Sequence, residues 1–233
     1  MIDPGRWLVH LREHLPIARE GSDPEGVHQL RVAARRLRTW LELARMKVLE
    51  DDLTWLLRGA GRVRDLEVLL SEGQPQAFAR WLRKELEAAR AVFVPMIDSP
   101  RMAGLLWALS SLPPIPVAQA QDRLPRFERR LRRRAATWAQ EDTLEALHGV
   151  RRALRRLRYA REWLGHDADD LKRLQDALGQ VGDLSLALSH LRRFEQQGGR
   201  LAPSYGKRLE DSLRQAVEQA KRDWREWAND TFS

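Results

Sequence analysis

Apolar residues recur at helical spacing along nearly the whole chain. Trp7, Leu11 and Leu15 stand four apart, the one-face spacing of an amphipathic helix. Gly21-Ser22-Asp23-Pro24 ends that helix and opens the next, with Ser22 or Asp23 as N-cap and Pro24 near the first helical position. The second helix is expected to run to about Met46, with Leu30, Ala33, Ala34, Leu37, Leu41 and Ala44 on one face. A third is expected from about Asp52 to Leu70, stopped by Gly73 and Pro75. A fourth follows from Gln76 to Phe93 and a short fifth from Met102 to Leu112. Alternating β-branched runs and Asn-Gly or Asp-Gly hairpins, the marks of strands, are missing. The pattern therefore predicts an all-α protein.

The Pro-rich stretch SLPPIPVAQAQ reads as the domain boundary, and beyond it the plan repeats. Phe127, Leu131 and Ala135 stand 120 residues after Trp7, Leu11 and Leu15. LHGVRRALRRLRYAREWLG (147–165) answers VHQLRVAARRLRTWLELAR (27–45), with Asp142 or Thr143 as its cap. LQDALGQVGDLSLAL (174–188) answers LLRGAGRVRDLEVLL (56–70), which aligns Gly61 with Gly179 and Asp65 with Asp183. Gly198-Gly199 breaks the chain before a last helix at roughly 204–229. The expected organisation is an N-terminal bundle over residues 1–112, a connector at 113–122 and a C-terminal bundle over 123–233. These would be two pseudo-twofold-related four-helix bundles forming one compact module with a basic cavity or groove. The second half lacks a counterpart of the helix at 102–112.

Charge changes the picture at the repeated helix. With His28 at zero on a helical wheel, Arg31, Arg35 and Arg38 fall within about 80° of it on one side, beside the apolar seam. They make a row roughly 15 Å long at 1.5 Å per residue. His148, Arg151, Arg155 and Arg158 reproduce that row, and Val150, Leu154, Leu157 and Leu164 reproduce the seam. Eight of the nineteen paired positions are identical and only two of the eight, one Ala and one Leu, are apolar. Repetition kept for packing alone would match best at apolar positions. This one matches best at charged ones, so its signal is functional. Like charges three and four apart repel by a few tenths of a kcal/mol, and no acid relieves them before Glu42 and Glu162. The histidines serve either a core or capping role or contact a ligand. Their Arg neighbours should lower imidazole basicity, and a bound anion should raise it again.

Composition narrows the partner. The chain carries 41 Lys and Arg against 33 Asp and Glu over 233 residues, a formal charge of +8, which points to an anionic partner. Only five of the 41 are Lys; guanidinium matches two phosphate oxygens at once, although the bias also fits plain base composition. Cysteine is absent, which excludes disulfides, thiolate catalysis and thiolate metal sites. The uncharged run 102–121 is broken by Pro113, Pro114 and Pro116 and is too short to span a bilayer. A soluble, cytoplasmic protein is expected. His10 and His14 lie at i, i+4, a metal-binding spacing, but the sequence offers them no third ligand, so no metal and no cofactor are expected. His166 and His190 are isolated, and the nine Trp, among them Trp7, Trp40 and Trp107, are read mainly as core.

VHQLRVAARRLR and LHGVRRALRRLRYA resemble the two signature helices of the CHAD family, helical domains named for their histidine. GRVRDLEVLL is similar to that family's following helix, so the likeness covers essentially the whole chain. The resemblance implies two four-helix bundles around a cationic cavity or groove, binding of inorganic polyphosphate and association with polyphosphate granules. It assigns the anion contacts to His28, Arg31, Arg35, Arg36 and Arg38, and to His148, Arg151, Arg155, Arg156 and Arg158. The chain departs from the family at Arg152, often aliphatic, at Arg155, often Lys, and at Gly182-Asp183, where Arg64-Asp65 would predict Arg-Asp. A triphosphate-handling domain precedes this one in many relatives, and no such segment is read here, so no catalytic role is expected.

Physics agrees with that implication. Polyphosphate is a flexible line of negative charges with no bases to read, and rows of guanidinium and imidazole suit it. Arg126, Arg129, Arg130, Arg132, Arg133 and Arg134 either add contacts or form a solvated face; Arg83-Lys84 and Lys207-Arg208 are weaker candidates. Asp65 and Asp183 are read as ion-pair partners that orient the row arginines. Two alternatives stand beside the polyphosphate reading. One is sequence-independent nucleic-acid binding through the same charge. The other is a phosphoryl-transfer or polyphosphate-cleaving enzyme, which would need metal-binding carboxylates inside the cationic site.

Overall fold

The computed structural model describes residues 1–232. Among these described residues ten helices follow one another: α1 (Gly5–Glu20), α2 (Pro24–Leu43), α3 (Glu50–Ser71), α4 (Gln76–Ile97), α5 (Pro100–Ser110), α6 (Val117–Gln121), α7 (Leu124–Glu141), α8 (Leu144–Trp163), α9 (Asp169–Gln196) and α10 (Pro203–Phe232). Among the described residues there is no strand; Ile2 and Ile115 form one isolated antiparallel bridge. The fold is all-α, and the chain divides into two units between Asp122 and Arg123.

In the first unit α1, α2, α3 and α4 pack in sequence order, and α5 lies against α1, α3 and α4. Caps set the junction between α1 and α2. Gly21 terminates α1 at φ +75°, a conformation that suits glycine. The Arg90 guanidinium from α4 sits within 1.9 Å of where a Gly21 Cβ would stand and donates to Ala18 O and Arg19 O at 3.2 and 2.9 Å. Asp23 is the N-cap of α2, accepting from Glu25 N–H at 2.8 Å, and Pro24 follows it. Gly26 lets α2 meet α1 closely: a Cβ there would stand 2.6 Å from Ala18 N. Val27, Leu30, Ala33, Ala34, Leu37, Trp40 and Leu41 are then at most 1% exposed, each large apolar side chain contributing about 1.5–3 kcal/mol by burial.

The Pro-rich segment is not a loose tether. Ile115 exchanges backbone hydrogen bonds with Ile2 at 2.7 and 3.1 Å, and the Trp40 indole N–H donates to Ile2 O. Ile115 is buried, α6 buries Ala120, and Gln119 donates to Ala44 O. Residues 113–122 therefore belong to the first unit. Trp107 departs from the core expectation. Helix α5 buries Met102, Leu105 and Leu109, a single narrow stripe, and Trp107 points away from it, 72% exposed.

In the second unit α8 packs between α7 and α9, and α10 runs along α9. An edge contact between Trp138 and Trp224 links α7 to α10. Thr143 is the N-cap of α8, accepting from Ala146 N–H. Asp142 instead closes α7 in a left-handed turn and accepts Lys221 Nζ at 2.8 Å. The core contains Phe127, Leu131, Val150, Leu154, Leu157, Leu171, Leu178 and Val181, all at most 1% exposed. No helix among the described residues is long and apolar enough to cross a membrane.

Candidate anion site

Helices α2 and α8 are each flanked on two sides, α2 by α1 and α3, α8 by α7 and α9. Their basic side chains are therefore confined. His28, Arg31, Arg35, Arg36 and Arg38 are all half-buried, as are His148, Arg151, Arg155, Arg156 and Arg158. A merely solvated charged face would be exposed, as the adjacent Arg152 is.

In the first unit Arg31 reaches over α3. Its Nη1 lies 2.9 Å from where a Gly61 Cβ would stand and 3.8 Å from Asp65 Oδ1, an ion pair longer than a hydrogen bond. In the second unit Arg151 lies over α9. A Cβ on Gly182 would stand 3.4 Å from its Cζ and Nη1, and one on Gly179 3.9 Å from its Nη2. Glycine on the following helix thus leaves backbone on which a guanidinium rests, once in each unit. Gly182, where the repeat would have had Arg, is the nearer support for Arg151. Arg38 Nε stands 3.9 Å from Glu50 Oε1. The Nε atoms of Arg38 and Arg151 are buried and make no hydrogen bond with the protein. Buried donors left unspent in this way ask for an acceptor from outside.

Two members stand apart. Arg36 stacks over the Trp7 ring, 4.3 Å from its centroid, on the α1 side of α2. Arg158 is held by the protein itself: Nη1 meets Glu162 Oε1 at 2.7 Å, Nε donates to Gln175 Oε1 at 3.1 Å, and the Tyr159 ring lies 4.7 Å away.

Both row histidines are held below the usual imidazole range. For His28 burial is the largest cause, then the Arg64 charge, with Arg35 and Arg31 adding and Glu25 opposing. For His148 burial again leads, then Arg151, with Arg152 adding and Glu145 opposing. At neutral pH both rings are uncharged donors and acceptors, and a nearby anion would draw a proton onto them.

The CHAD domain model matches residues 6–192, a span that includes both rows. The chain belongs to the CHAD family. No curated protein matches this CHAD chain. Among solved structures it is similar to the CHAD domain of the plant Ricinus communis, at 25% identity and a TM-score of 0.70, over 94% of this chain and 84% of that one. It also shares its fold with PptA from Streptomyces chartreusis, at 21% identity and a TM-score of 0.74, over 98% and 97% of the two chains.

Four residues of this CHAD domain, Glu67, Arg64, Arg90 and Glu13, escaped the sequence reading. Glu67 of α3 is a buried carboxyl, 8% exposed; burial pushes its pKa up, against the pull of Arg64, Arg90 and Arg31. Arg64 faces it at 3.8 Å, donates to Pro24 O at 3.4 Å and is the strongest charge acting on His28. Arg90 caps α1, as described. Of the α7 cluster, Arg126, Arg129, Arg132, Arg133 and Arg134 are exposed and Arg130 is half-buried. Arg134 passes over Gly149, next to His148, with its Cδ 3.4 Å from where a Cβ would stand. Glu13 joins His10 and His14, which the sequence had left without a third ligand: one ligand-capable atom of each lies within 4.8 Å of the others.

Proposed function

We propose that this CHAD chain is a binding module for inorganic polyphosphate, with a row of contacts on α2 and another on α8. The family as a whole is associated with polyphosphate. The observation that carries the reading is the half-burial of all ten row residues together with buried guanidinium donors, on Arg38 and Arg151, that make no hydrogen bond inside the protein. Half-buried charges cost desolvation free energy, and a linear polyanion supplies the acceptors that offset it. Arg31, Arg35 and Arg38 with His28, and Arg151 and Arg155 with His148, are the principal contacts. Arg36, Arg156 and Arg158 flank them. Arg64 extends the first row beside His28. The role is binding rather than catalysis, and granules of polyphosphate inside the cell are the expected place of action.

Competition tests the choice of ligand. Long-chain polyphosphate should displace labelled DNA from the protein at equal phosphate concentration; if DNA displaces polyphosphate, the nucleic-acid reading replaces this one. Incubation with polyphosphate and Mg²⁺ should leave chain length unchanged. Release of free phosphate would make the protein an enzyme instead.

A further inference from the structure

We propose that His10, Glu13 and His14 on α1 form a site for a divalent transition-metal ion of the zinc class. The inference does not depend on polyphosphate binding. One ligand-capable atom from each of the three lies within 4.8 Å of the others, and the imidazole rings face each other at 4.2 Å between centroids. Hydrogen bonds also decide which nitrogen of each ring is available. The Gln29 amide nitrogen donates to Glu25 Oε1, so its oxygen is the atom turned to His10, 2.9 Å from Nε2. That oxygen only accepts, which puts the proton on His10 Nε2 and leaves the lone pair on Nδ1. His14 Nδ1 stands 2.8 Å from the His10 carbonyl oxygen, which also only accepts, so His14 keeps its lone pair on Nε2. Each neutral ring is therefore locked in one tautomer by a donor bond to an amide or carbonyl oxygen. This is the outer support that metal-ligating histidines have.

Two imidazole nitrogens and one carboxylate oxygen suit Zn²⁺, Co²⁺, Ni²⁺ or Cu²⁺; Mg²⁺ and Ca²⁺ prefer all-oxygen sets. Tetrahedral ligands at about 2.0–2.1 Å from zinc stand about 3.4 Å apart, so closing the site takes a movement of side chains. Glu13 is exposed and free to make it. Nearby cations are drawn off: Arg6 and Arg36 lie over the Trp7 ring, and Arg12 reaches toward Leu106 O. Three protein ligands leave a coordination position open to water or an anion.

Isothermal titration of the untagged, metal-stripped full chain with Zn²⁺ in phosphate-free buffer tests the site, with Co²⁺ absorption as a second readout. One equivalent should bind with a dissociation constant on the order of micromolar, and Co²⁺ should give visible bands. His14→Ala should abolish binding. Glu13→Gln, at an exposed position that leaves folding alone, should weaken it at least about tenfold, and Gln29→Leu, which unlocks His10, about 10–100-fold. The proposal is overturned if no equivalent binds below about 100 µM, or if binding survives both His14→Ala and Glu13→Gln.

Discussion

Arg151 and Arg158 occupy one helix and one row, yet removing them should have opposite consequences. Arg151 holds a buried Nε–H that meets no acceptor and rests on Gly182 and Gly179. An unsatisfied buried donor costs about 1–3 kcal/mol, so Arg151→Gln should leave stability unchanged or raise it by up to about 1 kcal/mol. A polyphosphate oxygen reaching that guanidinium makes a charge-assisted hydrogen bond of about 1.5–3 kcal/mol. The same variant should then bind polyphosphate about 10–150-fold more weakly. Arg158 is the reverse case. Its 2.7 Å contact with Glu162, with side chains 13% and 25% exposed, and its bond to Gln175 commit two of its five donors, Nε among them, to the protein itself. Arg158→Gln should lower stability by about 1–3 kcal/mol and weaken binding less than about threefold. Urea unfolding by linear extrapolation gives the first quantity, and anisotropy of labelled polyphosphate at fixed ionic strength gives the second. Should Arg151→Gln destabilise the fold while leaving affinity within about threefold, the reasoning is refuted: the row would be structural.

Affinity should fall steeply with salt, and each row arginine changed to Gln should reduce the slope of log K against log salt by about 0.7, as for single-stranded polyanions; a slope independent of Arg31 or Arg35 counts against direct contact. The histidines link binding and stability to pH. Because folding lowers the pKa of His28 and His148, the unfolded chain takes up protons first as pH falls. Stability from the neutral rings is therefore complete above the ordinary value of about 6.5 and is lost as pH falls from there toward the lower folded values. His28→Gln with His148→Gln should flatten that part of the pH–stability curve. Polyphosphate, by raising both pKa values, should bind more tightly on acidification over the same range, with proton uptake measurable by titration in buffers of different ionisation enthalpy. Trp107→Ser should change stability by less than about 0.5 kcal/mol, since the ring is 72% exposed; a larger loss in thermal unfolding would mean that the ring is packed.

Helical periodicity and cap residues made nine of the ten helices among the described residues readable, all but α6, because each depends on residues a few positions apart. Asp23, Thr143 and Gly21 act where local rules put them. The pairing of Arg31 with Gly61, and of Arg151 with Gly179 and Gly182, was half visible as aligned positions in the repeat; that the arginines lie on those glycines needed the packing of α2 on α3 and of α8 on α9. The role of residues 113–122 was not readable, because Ile115 pairs with Ile2, more than a hundred residues earlier, and prolines read locally as a linker. Glu67 was passed over because a single Glu on a helix is ordinarily solvated; only its burial beside Arg64 and Arg90 distinguishes it. Arg36 was grouped with its row through the family motif, although its wheel position, about 80° from His28 on the opposite side, already separates it. It stacks on Trp7.

The most direct trial of the account is the affinity for long-chain polyphosphate of a single variant, Arg31→Gln, Arg35→Gln, Arg151→Gln and Arg155→Gln together, with circular dichroism confirming its helices. The account predicts a loss of at least about a thousandfold, four charge-assisted contacts at upwards of about 1 kcal/mol each. Undiminished affinity in a folded variant would contradict it and move the polyanion to another surface.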